Sequence, residues 1–151
     1  MYCSLTDILN DISQDEVIRL TNDENDELED IDLTDEDDVR VVRVAEQIRS
    51  ADEEIDGYLR SRYMLPFTTT PGRLLTISKD ISIYNLYKRR FRLELPESIV
   101  AIYRQRISEL EKIQRGVISL DIPTADEPES EIVINKSSGD RLFPKDTLSQ
   151  Y

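Results

Sequence analysis

The stretch from Thr34 to Pro66, TDEDDVRVVRVAEQIRSADEEIDGYLRSRYMLP, constrains the chain more than any other. Val41, Val44 and Ala45, Ile48, Ala51, Ile55, Tyr58 and Leu59, and Arg62 and Tyr63 recur at helical spacing. One stripe therefore faces a partner, while Arg43, Glu46, Arg49, Glu53 and Arg60 face away. Thr34 with Asp37 resembles a capping box, and Asp35 to Asp38 put negative charge at the positive end of the helix dipole. Arg60 and Arg62 fall in the last turn, and Leu65 precedes a proline that disfavours further helix. Gly57 lies mid-helix at a cost of about 1 kcal/mol relative to Ala, so either a neighbouring helix crosses closely there, the favoured reading, or the position is simply tolerated.

Two further helices follow. After the loop PFTTTPG, the stripe Leu74, Ile77/Ser78, Ile81, Tyr84/Asn85 and Lys88 predicts a helix from Arg73 to about Phe91. Leu75, Leu86 and Tyr87 widen its apolar arc, as expected of a helix packed on more than one side. Pro96 opens the next helix at its first turn, with Ile99, Tyr103, Arg106/Ile107, Leu110 and Ile113 as its stripe and Gly116 just past its end. Ahead of these, Ser4 or Thr6 can cap a turn carrying Leu5, Ile8, Leu9 and Ile12, and Ser13 with Glu16 reads as another capping box. The fold class is all-α: a small bundle of three long helices plus short N-terminal helices, occupying residues 1–118.

The remaining segments are of different character. Residues 22–33, NDENDELEDIDL, form an acidic loop with too few apolar residues to be buried. Asp23, Asn25 and Glu27 have the alternate spacing of a calcium loop, but Leu28 stands where glycine is required and Thr34 where glutamate is, so loose cation condensation is favoured over a site. Residues 119–151 read as an extended C-terminal linker and docking arm. Within them, 123–131 are rich in proline and acids, 131–135 (EIVIN) form a short β-type run, and Leu142, Phe143, Leu148 and Tyr151 need a partner surface or remain disordered.

Apolar residues make up 38% and charged residues 34%, a shortfall implying that part of the chain packs against something else. The net charge of −13 is polarised: residues 1–40 hold fifteen acids and two bases, whereas 66–118 hold five acids and ten bases. Such poles either keep the surface solvated or meet between copies in a head-to-tail ring. The dense basic run Lys88, Arg89, Arg90 and Arg92 is read as a helix cap or as inter-subunit charge contacts, ahead of nucleic-acid binding, because the chain as a whole is acidic.

No stretch looks like a signal peptide or a membrane span, so a soluble protein of intracellular origin is expected. Cys3 is the sole cysteine and there is no histidine. That argues against a disulfide, a conventional zinc site, an imidazole base or an activated thiol. No P-loop or dinucleotide fingerprint is present. Asp52 and Asp56, one helical turn apart, could suit acid/base or metal work, yet so charged a helix places such pairs in solvent by chance. Binding or assembly is favoured over catalysis, with no cofactor and no metal.

The order of segments is similar to one phage family. It runs MYCSLTDIL, an acidic loop, ADEEIDGYLRSRYMLPF, a proline-containing loop, DISIYNLYKRR, ELEKIQRGVISLDIP and RLFPKDTLSQY. The chain resembles the Mu-type phage proteins first catalogued as a domain of unknown function and placed with head–tail connector (neck or head-completion) proteins. The most specific part is A-D-x-E-I-D-G-Y-L-x-x-R-Y-x-L-P; the acidic loop and residues 119–131 match least.

This resemblance implies a virion structural protein rather than an enzyme. It would be assembled in the bacterial host cytoplasm, sit in the virion neck, and form a homo-oligomeric ring, twelvefold, under the portal protein. The ring would meet a tail-completion or tail-terminator protein and let DNA pass without sequence-specific binding, an acidic lining repelling the phosphates. Ile48, Ile55, Leu59, Ile81, Tyr84, Tyr103, Ile107 and Leu110 are then bundle core, and Leu142, Phe143, Leu148 and Tyr151 dock the arm. The rival readings are a small acidic helical scaffold or regulatory binding protein without a portal partner, and a carboxylate metal enzyme.

Overall fold

A computed structural model describes residues 1–27, 31–90, 95–122 and 124. Among these residues five helices follow one another: α1 (Leu5–Leu9), α2 (Gln14–Thr21), α3 (Val39–Leu59), α4 (Gly72–Arg89) and α5 (Glu97–Gln114). No strand occurs among the described residues, and the chain is an all-α helical bundle. The β-type run expected at 131–135 lies outside the described residues.

The caps explain most of the helix ends. Ser4 and Asp7 form a reciprocal capping box on α1. Ser13 caps α2 by accepting from the Glu16 backbone N–H at 3.2 Å, while the Glu16 carboxylate turns to Arg19 instead, 2.8 Å from its Nε. Pro96 stands at the N-cap of α5. At the other end of α5, Gly116 takes a φ of +78°. Its N–H donates to the Ile113 carbonyl at 3.0 Å and that of Val117 to Lys112 at 2.8 Å, the double bond pattern of a Schellman cap. A side chain on Gly116 would also collide with the Arg62 guanidinium.

Two expectations for α3 are corrected. The helix starts not at Thr34 but after Asp38, whose carboxylate accepts from the Arg40 N–H at 2.8 Å. Thr34 instead donates its N–H and hydroxyl to Asp32, at 2.8 and 2.6 Å, and Asp35 accepts from the Asp37 N–H at 3.0 Å. These local side-chain turns compete with helix and delay it. The second correction concerns Gly57, where no helix crosses: a β-carbon placed there has no neighbour within 4 Å. Gly57→Ala should therefore stabilise the protein by about 0.5–1 kcal/mol through lower unfolded-state entropy and better helix propensity. Urea titration checks this, and a destabilised variant would restore the close crossing.

The interior is divided into two apolar clusters that share α3 and α4. One joins Ile8, Val17, Ile18 and Leu20 of the short helices to Val44 and Ile48 of α3 and Ile83 and Leu86 of α4. Ile31 and Leu33 are each only 9% exposed there, so the far end of the acidic segment is anchored, contrary to the loop expected to stay wholly unburied. The other cluster joins Ala51, Ile55 and Leu59 to Leu74, Ile77 and Ile81 and to Leu110 and Ile113 of α5. It also takes in Tyr63 and Leu120. The Tyr63 hydroxyl accepts from the Leu120 N–H at 3.2 Å.

Candidate functional site

A polar seam runs beside the apolar clusters, built from the N-terminal residues and the middles of α3 and α4. Asp52 is buried; it accepts from the Tyr2 N–H at 2.9 Å and from the Ser78 hydroxyl at 2.7 Å. The Tyr2 hydroxyl donates to Asp56, and Ser78 also lies 3.2 Å from the Cys3 sulfur. Burial, then the bond to Asp56, pushes the Tyr2 phenol well above its usual range, and burial likewise raises the Cys3 thiol. The carboxylate pair considered for chemistry thus binds the N-terminal segment to the bundle. Its signal was in the sequence: Asp52 sits one turn from both Ile48 and Ile55, within the apolar stripe rather than opposite it. Among the described residues no group of three or more acids, cysteines or histidines is arranged to hold a metal ion.

A second constellation closes the acidic segment onto the bundle. Arg89 pairs with Asp23 and donates to the Leu20 carbonyl at 3.0 Å. Arg90 donates to the carbonyls of Arg19 and Asn22, at 3.1 and 2.8 Å. Arg43 bonds Glu24 and the Thr21 carbonyl, both at 2.7 Å, and Arg40 pairs with Asp26 and Asp38. Arg89 and Arg90, read from the sequence as a helix cap or as inter-subunit charge contacts, have partners inside their own chain. Lys88 stays exposed, its Nζ 6.0 Å from the Tyr84 ring centroid, and Arg92 lies outside the described residues.

This clasp has a pH signature. Its bond to Arg89 lowers Asp23, and Arg43 lowers Glu24 from its ordinary 4.5 to about 2. Depressed carboxylates contribute stability in full above their ordinary range and lose it as pH falls through the lowered values. The segment should therefore loosen between pH 4.5 and about 2, following Glu24. On the alkaline side, burial and bonds to Glu16 and Glu54 raise Tyr87 and Tyr103 to about 12. Their contribution holds below the ordinary phenol value near 10 and is lost as pH approaches about 12. Absorbance titration of the native chain and of its Tyr87→Phe and Tyr103→Phe variants checks the second limb; a variant that loses phenolate signal at the ordinary value would contradict it.

Of the residues assigned to the bundle core, Ile48, Ile55, Leu59, Ile81 and Leu110 are fully buried. Ile107 is half-buried against the second cluster. Tyr84 and Tyr103 are half-buried and stack at 3.9 Å between α4 and α5, with the Tyr103 hydroxyl donating to Glu54 of α3 at 2.9 Å. Leu142, Phe143, Leu148 and Tyr151 lie outside the described residues.

Among the described residues a broad groove of about 1230 Å³ lies between the N-terminal segment, residues 31–36 and the first half of α3. Val41, Val42, Ala45, Leu5 and Leu9 contribute apolar surface, and Asp7, Asp32, Glu36 and Glu46 place acids around it. Val42 is 43% exposed. No described helix is long and apolar enough to cross a membrane.

Comparison with known proteins places this architecture in a lineage. The profile of the family "Bacteriophage Mu, Gp36" matches residues 2–134. The Mu-like prophage FluMu protein gp36 of Haemophilus influenzae is 35% identical over 85 residues, 56% of this chain and 57% of that protein. Gene product J of Escherichia phage Mu is 30% identical over 105 residues, 68% of this chain and 72% of its own length. The chain thus spans little more than half of the first relative and nearly three quarters of the second. With the match running through all five helices, the chain belongs to the bacteriophage Mu Gp36 family.

Proposed function

We propose that this protein is a head–tail connector of a Mu-like phage, a non-enzymatic adaptor that assembles as a ring under the portal protein and joins capsid to tail. Membership of the Mu family suggests a phage structural or assembly role. The observation that carries the finer reading is the groove along α3, where valines stand on a face that a solvated helix would make polar. A small bundle that keeps apolar surface ringed by charge is suited to docking on other protein.

The ring would hold twelve copies and meet a tail-completion or tail-terminator protein on its far side in the virion neck. Asp35 and Asp37 are exposed and stand outside the groove. Facing a lumen, they would repel DNA phosphates and let the duplex slide. Asp23, Glu24 and Asp26 are excluded from that role by their arginine partners.

The test is electron microscopy of the purified chain mixed with its cognate portal. Rings seated coaxially on the portal, and the same density in the neck of virions, are expected. A protein that remains monomeric or dimeric at high concentration, ignores the portal and is missing from virions would instead be the scaffold or regulatory protein of the rival reading.

A further inference from the structure

Building on the self-assembling part of that reading, we propose that the groove between the N-terminal segment and α3 is the receptor for the C-terminal arm of a second copy of this chain. The segment that enters is Arg141-Leu142-Phe143-Pro144-Lys145.

Three features of groove and arm match. The groove presents Val41, Val42 and Ala45, and the arm offers Leu142 and Phe143 as adjacent large apolar side chains. Acids outnumber bases along the groove, Asp7, Asp32, Glu36 and Glu46 against Arg49, and the arm brackets its apolar pair with Arg141 and Lys145, with Asp140 and Asp146 just outside them. All three bases found after residue 118, Lys136, Arg141 and Lys145, lie within ten residues around that pair. Charge at the edge and apolar contact at the centre is the usual anatomy of a specific protein interface.

Reach is sufficient. Ile122 packs against the second cluster. The 18 residues from 123 to 140 can extend to about 60 Å. That exceeds the roughly 32 Å length of a helix with the 21 residues of α3, so the arm clears its own bundle.

Charge decides between a neighbour's groove and its own. Asp126, Glu127, Glu129 and Glu131 precede the arm. Folding back would lay these four acids along the acidic rim of the same subunit, whereas reaching out leaves them behind on their own bundle. The contact is then heterologous, arm of one copy into groove of the next, and it propagates into a ring or an open chain.

The experiment uses two full-length variants, each altered at one side of the contact. Val42→Asp changes an exposed groove residue, and Phe143→Asp changes the arm. Sedimentation velocity should show the native chain self-associating and each variant alone at least ten-fold weaker, with far-UV circular dichroism unchanged. Mixing the two should give one-to-one dimers, because one intact arm meets one intact groove. A synthetic peptide of residues 136–151 should dissociate the native assembly. Reversing both charges in one chain, Glu46→Lys with Arg141→Glu, should restore association that Arg141→Glu alone weakens.

A mixture that stays monomeric, or a Phe143→Asp chain that assembles like the native one, overturns the proposal. So does groove protection in hydrogen exchange that is independent of protein concentration, the mark of an arm docked on its own subunit. Portal binding is read separately. Complementation between the variants without any portal association keeps this contact and removes the portal from the connector reading.

Discussion

Replacing Asp52 with alanine should lower the unfolding free energy by about 2–4 kcal/mol. The carboxylate is buried and accepts from the Tyr2 N–H and the Ser78 hydroxyl, and alanine leaves both donors without that acceptor. The cost of an orphaned buried donor exceeds the modest net value of the bond it made. In a thermal melt the loss corresponds to a fall of roughly 4–16 °C for a chain of this size. Asp52→Asn keeps one acceptor oxygen and should lose less than half as much. If Asp52→Ala unfolds within half a kilocalorie of the native protein, the seam is not the structural tie described above.

The second large effect is expected on α5. That helix buries Leu110 and Ile113, whereas α3 and α4 each bury seven residues. Leu110→Ala should cost about 2–5 kcal/mol, the lost transfer energy plus that of the cavity left behind. Ile102, 41% exposed on the same helix, should change stability by less than about 0.5 kcal/mol when cut to alanine. Denaturant titration of the two variants compares a buried with an exposed truncation on one helix. Equal losses would mean that α5 is held mainly by its polar contacts, Arg106 to Asp80 at 2.6 Å and Arg73 to Glu109 at 2.5 Å.

The sequence made the long helices legible wherever the deciding signal was local. Pro96 and Gly116 marked the ends of α5 because each acts through its own backbone, and the three- and four-residue spacing of Val44, Ile48, Ile55 and Leu59 marked the buried face of α3. The start of α3 was misread because Thr34–Asp37 and Asp32–Thr34 are both good local pairings, and pattern alone does not rank them. The partners of Arg89 and Arg90 lie more than sixty residues away. Nothing at residues 88–90 encodes that separation; only the matching charge excess of residues 22–27 hinted at it. Gly57 failed for the opposite reason, since an exposed helical glycine leaves the same mark in sequence as a close crossing.

The groove was also out of reach of periodicity. Val41, Val42, Val44 and Ala45 are too many apolar residues for one stripe, and only the fold separates Val44, which is buried, from Val42, which is left at the surface.

The two apolar clusters are not two modules. Both are built on the same pair of helices, so neither can be dismantled while the other keeps α3 against α4. Melting should therefore be all-or-none, one cooperative transition with a single midpoint whichever end is probed. A chain of that kind would pass a pull on its N-terminal end to its opposite end as a rigid strut.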